Sequence, residues 1–166
     1  MNPIDILKLR RSVRVFRDKE IPKEALEQII DAARFSPTAR NVQPWEFVVF
    51  TDKGILKKIS RMGDNAKLIA GAGACVAVFC ADTKYYLEDG CSATVNILNA
   101  AAALGIGSCW VAGDKKPYCD DVAQLLGVNR ELKLVSLVAL GYPEDPNSFK
   151  LADKRALKEV LHWEKF

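Results

Sequence analysis

Ser36-Pro37-Thr38-Ala39-Arg40-Asn41-Val42-Gln43-Pro44-Trp45 joins a segment of helical apolar spacing to an apolar run of strand length. Each proline fixes its own φ and pushes the residue before it out of the helical region, so the connection reads as rigid and non-helical. Between them lie Thr38, Arg40, Asn41 and Gln43, a hydroxyl, a guanidinium and two amides. An amide donates and accepts together, which suits the edge of a heterocycle with alternating N–H and C=O groups. A helix from Glu24 to Phe35 enters the loop and a strand from Phe47 to Phe50 leaves it, so packed structure holds both ends. A surface connection ending in a core tryptophan accounts for the same spacing.

On the N-terminal side, Asn2-Pro3 reads as an N-cap with proline at N1, opening a short helix to about Leu9. Arg10 to Phe16 alternates polar and apolar and is expected to be extended. Pro22 opens a second helix, whose Leu26, Ile29, Ile30 and Ala33 form a stripe at helical spacing. On the C-terminal side, Phe47 to Thr51 reads as a strand and Asp52 caps a helix to about Met62. Gly71 and Gly73 lead into Ala74 to Ala81, an unbroken apolar run of strand length and hence a central strand. Asp82 to Asp89 reads as a loop carrying Tyr85 and Tyr86. Gly90 to Leu104 reads as a helix that is small or apolar on almost every side, so it must be buried all round, in the core or at a subunit contact. Gly105 stops it. A short extended piece (Cys109 to Ala112), a helix (Pro117 to Leu126, ended by Gly127) and a strand (Leu134 to Leu140) follow. Gly141-Tyr142-Pro143 then turns the chain into a polar tail, where Leu157, Val160, Leu161 and Trp163 form an amphipathic patch that must dock somewhere. Alternating strands and helices suggest a parallel doubly wound fold, although periodicity does not give strand order.

The 166 residues, 49% hydrophobic and 27% charged, are ordinary for one soluble domain spanning 1–166, which buries roughly two-thirds of its unfolded surface. A net charge of +3 argues against a dedicated nucleic-acid binder, although Arg10, Arg11, Arg14 and Arg17 cluster. Met1 to Leu9 carries Asp5 and Lys8 and no signal pattern. The apolar run Ala72 to Ala81 falls far below the ~18 residues of a membrane span. A cytoplasmic protein with neither membrane nor nucleic-acid partner is expected. The five cysteines are odd in number and make no C-x-x-C, and His162 is the single histidine. That pattern argues against zinc or iron–sulfur ligation. Cys75 and Cys80 read as reduced, buried thiols, and no cysteine is assigned a catalytic role.

The loop closely resembles the flavin loop of the nitroreductase family, FMN-dependent NAD(P)H oxidoreductases. Arg10-Arg11-Ser12-Val13-Arg14-Val15-Phe16 is a second match and Ala103-Leu104-Gly105-Ile106-Gly107-Ser108-Cys109-Trp110-Val111 a third. Leu140-Gly141-Tyr142-Pro143 and the tail from Lys154-Arg155 to His162-Trp163 complete the series, in the family's order and over nearly the whole chain. The resemblance implies an α+β fold, a three-layer α/β/α sandwich with a mixed, largely antiparallel sheet. It also implies an intertwined homodimer in which the C-terminal tail adds to the partner's sheet.

The same resemblance implies FMN as cofactor and NAD(P)H as co-substrate. The FMN phosphate is prohibitive to bury without cations. Arg10, Arg11 and Arg14 supply them from one segment and Lys154 and Arg155 from the far end, each charge-assisted bond contributing roughly 1.5–3 kcal/mol. Taken alone, the same residues read first as a solvated face, Lys154-Arg155 most of all. By family matching, Arg10, Ser12 and Arg155 go to the phosphate and Arg14 to the ribityl and pyrimidine side. Pro37, Thr38, Ala39 and Asn41 go to the flavin of the other subunit, with Gln43 anchoring the loop. Trp110, Val111, Ala112 and Gly113 lie beside the ring, where the backbone N–H of Ala112 or Gly113 donates to flavin N5. Asn65 is carried over on a looser match. No side chain is expected to be catalytic, because the chemistry is on the cofactor. The reaction implied is ping-pong, with nitroaromatics, quinones or free flavins as small-molecule acceptors; a flavin-sequestering protein without turnover uses the same motifs. The fingerprint G-x-G-x-x-G is absent, so the nicotinamide is expected to stack transiently on the flavin. Little room remains between Met62 and Gly90 for the family's covering helical excursion, which predicts an open site. Tyr85, Tyr86 and Trp110 either line the slot or belong to the core.

Overall fold

The computed structural model describes residues 2–166. Strand β2 (Ala74–Ala81) is apolar at every position because it lies inside a sheet covered on both faces. Side chains of a strand alternate between faces. Ala74, Val76, Val78 and Cys80 accordingly join one core, while Cys75, Ala77 and Phe79 join another. The first core is roofed by α2 (Lys23–Ala33) and α4 (Tyr86–Ala103). The second is roofed by α3 (Lys53–Ile59), a 3₁₀ segment (Asp64–Gly71) and α5 (Cys119–Leu126). This is the expected three-layer α+β sandwich.

The sheet runs β1-β2-β4-β3, with β1 at Trp45–Phe50, β3 at Gly107–Ala112 and β4 at Leu132–Gly141. All three pairings are antiparallel. The alternation of strands and helices therefore does not build parallel crossovers. The parallel element among the described residues is a single bridge, Ser12 to Ser108, on the outer edge of β3. Val13 N–H donates to Ser108 O there at 2.9 Å. A β-carbon on Gly107 would lie 2.9 Å from Val13 Cβ, so this glycine lets the arginine-bearing segment close on the sheet. A short helix α1 (Pro3–Leu9), capped by the Asn2 side chain, precedes that segment.

Register along β2 and β4 slips at one place. Val78 faces Ser136 and Phe79 faces Leu134, so Val135 is a bulge residue. A bulge puts two neighbours on one side of the sheet. Val135 packs in the core under α4, and Ser136 Oγ meets Thr94 Oγ1 of α4 at 2.7 Å.

Helix α4 begins at Tyr86, four residues before the Gly90 start expected from sequence. Glycine lowers helix propensity and so masks the first turn. Its reason is contact: a β-carbon at position 90 would lie 2.6 Å from Val135 Cγ2. The helix ends in a Schellman turn, with Gly105 N–H on Ala102 O and Ile106 N–H on Ala101 O. All-round burial is not reached within one chain, since Val95 is 44% exposed and Cys91, Ser92, Asn96 and Asn99 beside it are half-buried. The tail is bare as well: after a 3₁₀ turn at Leu157–Glu159, the apolar patch that was expected to dock stands in solvent. No helix among the described residues is long and apolar enough to cross a membrane.

Candidate functional site

The free edge of β3 positions the cations. Gly113 N–H donates to Val135 O at 3.2 Å, and this pair continues the β3–β4 register. Bonded and non-bonded pairs alternate in an antiparallel ladder, so the backbone groups of Ala112, Trp110 and Ser108 point away from β4. The Val13 bond to Ser108 O lies on that outer side. Of the two amides expected to face a flavin, Gly113's is therefore already engaged. Ala112's is the one that faces outward.

Beside this edge a cleft of about 440 Å³ is lined by Arg14, Asn65, Leu68, Cys109, Trp110, Val111 and Ala112, with Asp64 and Lys67 on its rim. Lys67 is held by Asp64 at 2.7 Å. Burial pushes the Cys109 thiol up from its usual pKa, and Arg14 and Arg10 beside it offset part of that rise. Both guanidiniums thus act on the β3 edge. A second cleft of about 450 Å³ adjoins the first through Arg14 and is lined by Arg11, Ser12, Glu144, Asp145 and Lys150. Arg11 Nη1 donates to Leu151 O at 3.1 Å, tying this cleft to the start of the tail. Lys150 was not found by sequence reasoning, because a lone lysine in a polar stretch carries no signal until the fold sets it beside Arg11.

The proline-bounded loop stands apart. Its three-residue turn at Ala39–Asn41 is broken by non-helical backbone at Arg40, φ 56° and ψ 23°, so no regular helix forms in it. Arg40, Asn41 and Gln43 have φ of 56°, 55° and 51°, a left-handed cluster that costs about 1 kcal/mol per non-glycine residue and concentrates at functional sites. Thr38 and Gln43 help hold it. Thr38 Oγ1 accepts from Gln43 N–H at 3.1 Å, and Gln43 Nε2 donates to Asn41 O at 3.3 Å. Gln43 thus closes the loop on itself, while Pro37 and Asn41 are exposed. Ala39 and Arg40 line a third cleft, of about 330 Å³, with Thr83, Lys84, Tyr85 and Asp89. Asp89 is buried; desolvation raises its carboxyl above the usual range, Glu88 adds to the rise, and the Ala39 N–H offsets part of it. Ser36 Oγ and Thr83 Oγ1 are buried without a protein partner.

One chain therefore brings Arg14, Asn65, Trp110, Val111 and Ala112 together, with Arg11 and Ser12 adjoining, while Arg10 lines neither cleft and acts on the β3 edge through its charge at Cys109. The same chain does not bring the loop to them. Nor do Lys154 and Arg155 line either arginine cleft; both are exposed on the tail, where Arg155 Nη2 donates to Glu159 O at 2.7 Å. Tyr86, which could have been slot or core, is half-buried and donates to Asp114 Oδ1 at 2.8 Å, while Lys133 sits 4.9 Å from its ring centroid. The bond to Asp114 is the largest cause pushing the Tyr86 phenol up to about 12. No cluster of three metal-ligating side chains occurs among the described residues. Cys75 and Cys80 are free and buried, the Cys80 thiol pushed up to about 12 chiefly by burial.

Comparison with known proteins places the chain in one family. The family model described as Nitroreductase family matches residues 7–78 and 81–142. A protein of Archaeoglobus fulgidus provisionally named NADH dehydrogenase/NAD(P)H nitroreductase is 38% identical over 165 residues, 95% of this chain and 94% of its own. The solved structure of an FMN-dependent nitroreductase from Clostridium difficile is 26% identical with a TM-score of 0.88, covering 98% of this chain and 99% of that one. A structure from Parabacteroides distasonis, 22% identical, has a TM-score of 0.91 over 100% of this chain and 99% of its own, and shows the fold.

Proposed function

The chain belongs to the nitroreductase family, and from that premise we propose that its 166 residues form one FMN-binding domain of an oxidoreductase using NAD(P)H to reduce nitroaromatic, quinone or free flavin acceptors. The reading rests on one observation above the others: an outward-facing strand amide at Ala112 shares a cleft with Arg14 and Asn65.

The donor set fits FMN. Arg10, Arg11, Ser12 and Lys150 would hold the phosphate, whose charge demands cations. Arg14 and Asn65 would take the pyrimidine side, and Trp110 to Ala112 would lie along the ring. Bound there, FMN would supply the two-electron redox chemistry between NAD(P)H and the acceptor. The residues contribute geometry and charge. Ala112 N–H would donate to N5 and fix the ring's angle. Arg14 would stabilise negative charge on the reduced ring. Nothing in the cleft need act as an acid, since water reaches the open face.

The loop and the tail complete the site from a second chain in this reading, giving a homodimer with two sites across a twofold axis. What supports it is that Thr38, Ala39 and Asn41 lie in a part of the chain separate from the arginines, while α4 and the tail leave apolar surface uncovered. Pro37 would pack with them, and Lys154 and Arg155 would reach the phosphate with the partner's tail in place. The test is to load the purified chain with excess FMN, desalt it, and titrate it anaerobically with NADH and NADPH. The expected result is a dimer with one FMN per chain that bleaches with nicotinamide and recovers with nitrofurazone or menadione. A colourless monomer overturns the reading, and a yellow protein without turnover overturns the enzymatic part.

A further inference from the structure

We propose that Tyr118 and Cys119, at the start of α5, are positioning residues that aim the Ala112 amide into the arginine cleft. The inference rests on the flavin reading above and adds two residues to it.

In a trans peptide the C=O and N–H point in opposite directions within one plane, so a plane bonded at both ends cannot rotate. Two consecutive planes after β3 are bonded in this way. In the first, Ala112 O accepts from the Tyr118 hydroxyl while Gly113 N–H donates to Val135 O. In the second, Gly113 O accepts from Cys119 Sγ at 2.8 Å and from Lys116 N–H at 3.0 Å, while Asp114 N–H donates to the same Val135 O at 3.1 Å. Val135 is the β4 bulge residue, so the irregularity in the sheet provides the shared acceptor. Beyond the second plane Asp114 is tied to Tyr86, and Lys115 is forced to a φ of 60°. Backbone held in such a conformation persists where its surroundings over-determine it.

The end of an edge strand does not need this much restraint to fold. Most strand ends fray into exposed turns. Ala112 is exposed, and its own N–H faces the cleft rather than β4. That N–H belongs to the Val111–Ala112 plane, which the Val111–Leu137 pairing ties to β4, and the two clamped planes keep the strand from peeling off β4 just beyond it. The clamp therefore serves what lies outside the strand. Tyr118 is otherwise a buried ring packed on Gly63, so replacing it by phenylalanine keeps the packing and removes the bond.

Oxidised FMN accepts a hydrogen bond at N5, whereas reduced FMN carries a proton there and gains nothing from a donor. Loosening the amide must therefore weaken the oxidised form alone. For the full-length protein, Tyr118→Phe is expected to weaken oxidised FMN about fivefold, leave reduced FMN unchanged, and raise the midpoint potential by the equivalent, about 20 mV for a two-electron couple. Cys119→Ala is expected to shift both quantities in the same direction, and Cys119→Ser, which keeps a donor, to restore them. Fluorescence titration and a dye-equilibrated potential read these without turnover, and the 15N shift of the Ala112 amide reports the loosening directly. Should Tyr118→Phe fail to fold, the cysteine pair decides. If Tyr118→Phe lowers Tm but binds both redox forms as the parent does, or if Cys119→Ala and Cys119→Ser are indistinguishable, the two side chains are packing only and the proposal falls. A parent protein that retains no FMN overturns the flavin reading, and this inference with it.

Discussion

Replacing Trp163 by alanine should break the proposed dimer while sparing the monomer. In a single chain Trp163 is 80% exposed, and Leu157 and Val160 near it are 72% and 53% exposed. Any burial of these side chains must therefore come from a second chain. Fully burying a large apolar side chain contributes roughly 1.5–3 kcal/mol, so truncation at Trp163 removes about 2 kcal/mol. A twofold dimer contains the contact twice, which brings the loss to about 4 kcal/mol and weakens dimerisation about a thousandfold. Because the indole touches little of its own chain, monomer stability should move by less than about 0.5 kcal/mol. Sedimentation velocity from nanomolar to micromolar protein measures the first quantity, and thermal unfolding under monomeric conditions the second. FMN retention should fall with the dimer, since the proposed site takes its loop and its arginines from different chains. A dimer constant for Trp163→Ala within threefold of the parent's would refute the assignment of the tail to the partner, as would a parent that stays monomeric at micromolar concentration.

Two further outcomes follow from charge. Arg14→Gln should lower the midpoint potential of bound FMN: a cation about 4 Å from the reduced ring contributes between about 1 kcal/mol in water and about 4 kcal/mol at an effective dielectric of ~20. That corresponds to a drop of about 20–90 mV by anaerobic redox titration, and no drop would remove Arg14 from the ring. Asp89 has a folded pKa raised by burial above its usual 3.8, so between those two values the folded state holds a proton that the unfolded state has lost. Stability is therefore lost as pH rises through that window. Asp89→Asn keeps an acceptor for the Ala39 amide and removes the titration. Its Tm advantage over the parent should grow from pH 4 upward and then level off; parallel Tm-against-pH curves would contradict this.

How much of this was legible in the sequence differs by element. β2 declares itself because eight apolar residues in a row have no other use at that length. The stripe Leu26, Ile29 and Ala33 likewise fixes the buried face of α2. The start of α4 was hidden because Gly90 answers a tertiary contact with Val135, and local propensity cannot report that. Strand order was hidden for the same reason, since alternation gives faces and not neighbours. The arginine segment and the loop were both legible as polar groups of the right chemistry, yet nothing in their spacing says that one chain keeps them in separate clefts. Lys150 was missed because it gains its role from Arg11, far along the chain, and Tyr118 and Cys119 because their partners are backbone carbonyls, which carry no side-chain signature.

The most direct measurement mixes two variants that each lack half of the site. Arg10→Ala with Arg14→Ala removes the cationic half, and Thr38→Ala with Asn41→Ala removes the loop half. Neither homodimer should retain FMN after desalting. Subunit exchange between them should restore one intact site in each mixed dimer, so about one flavin site in four should return. No return of bound FMN, in a mixture shown to exchange subunits, would contradict a flavin held between two chains.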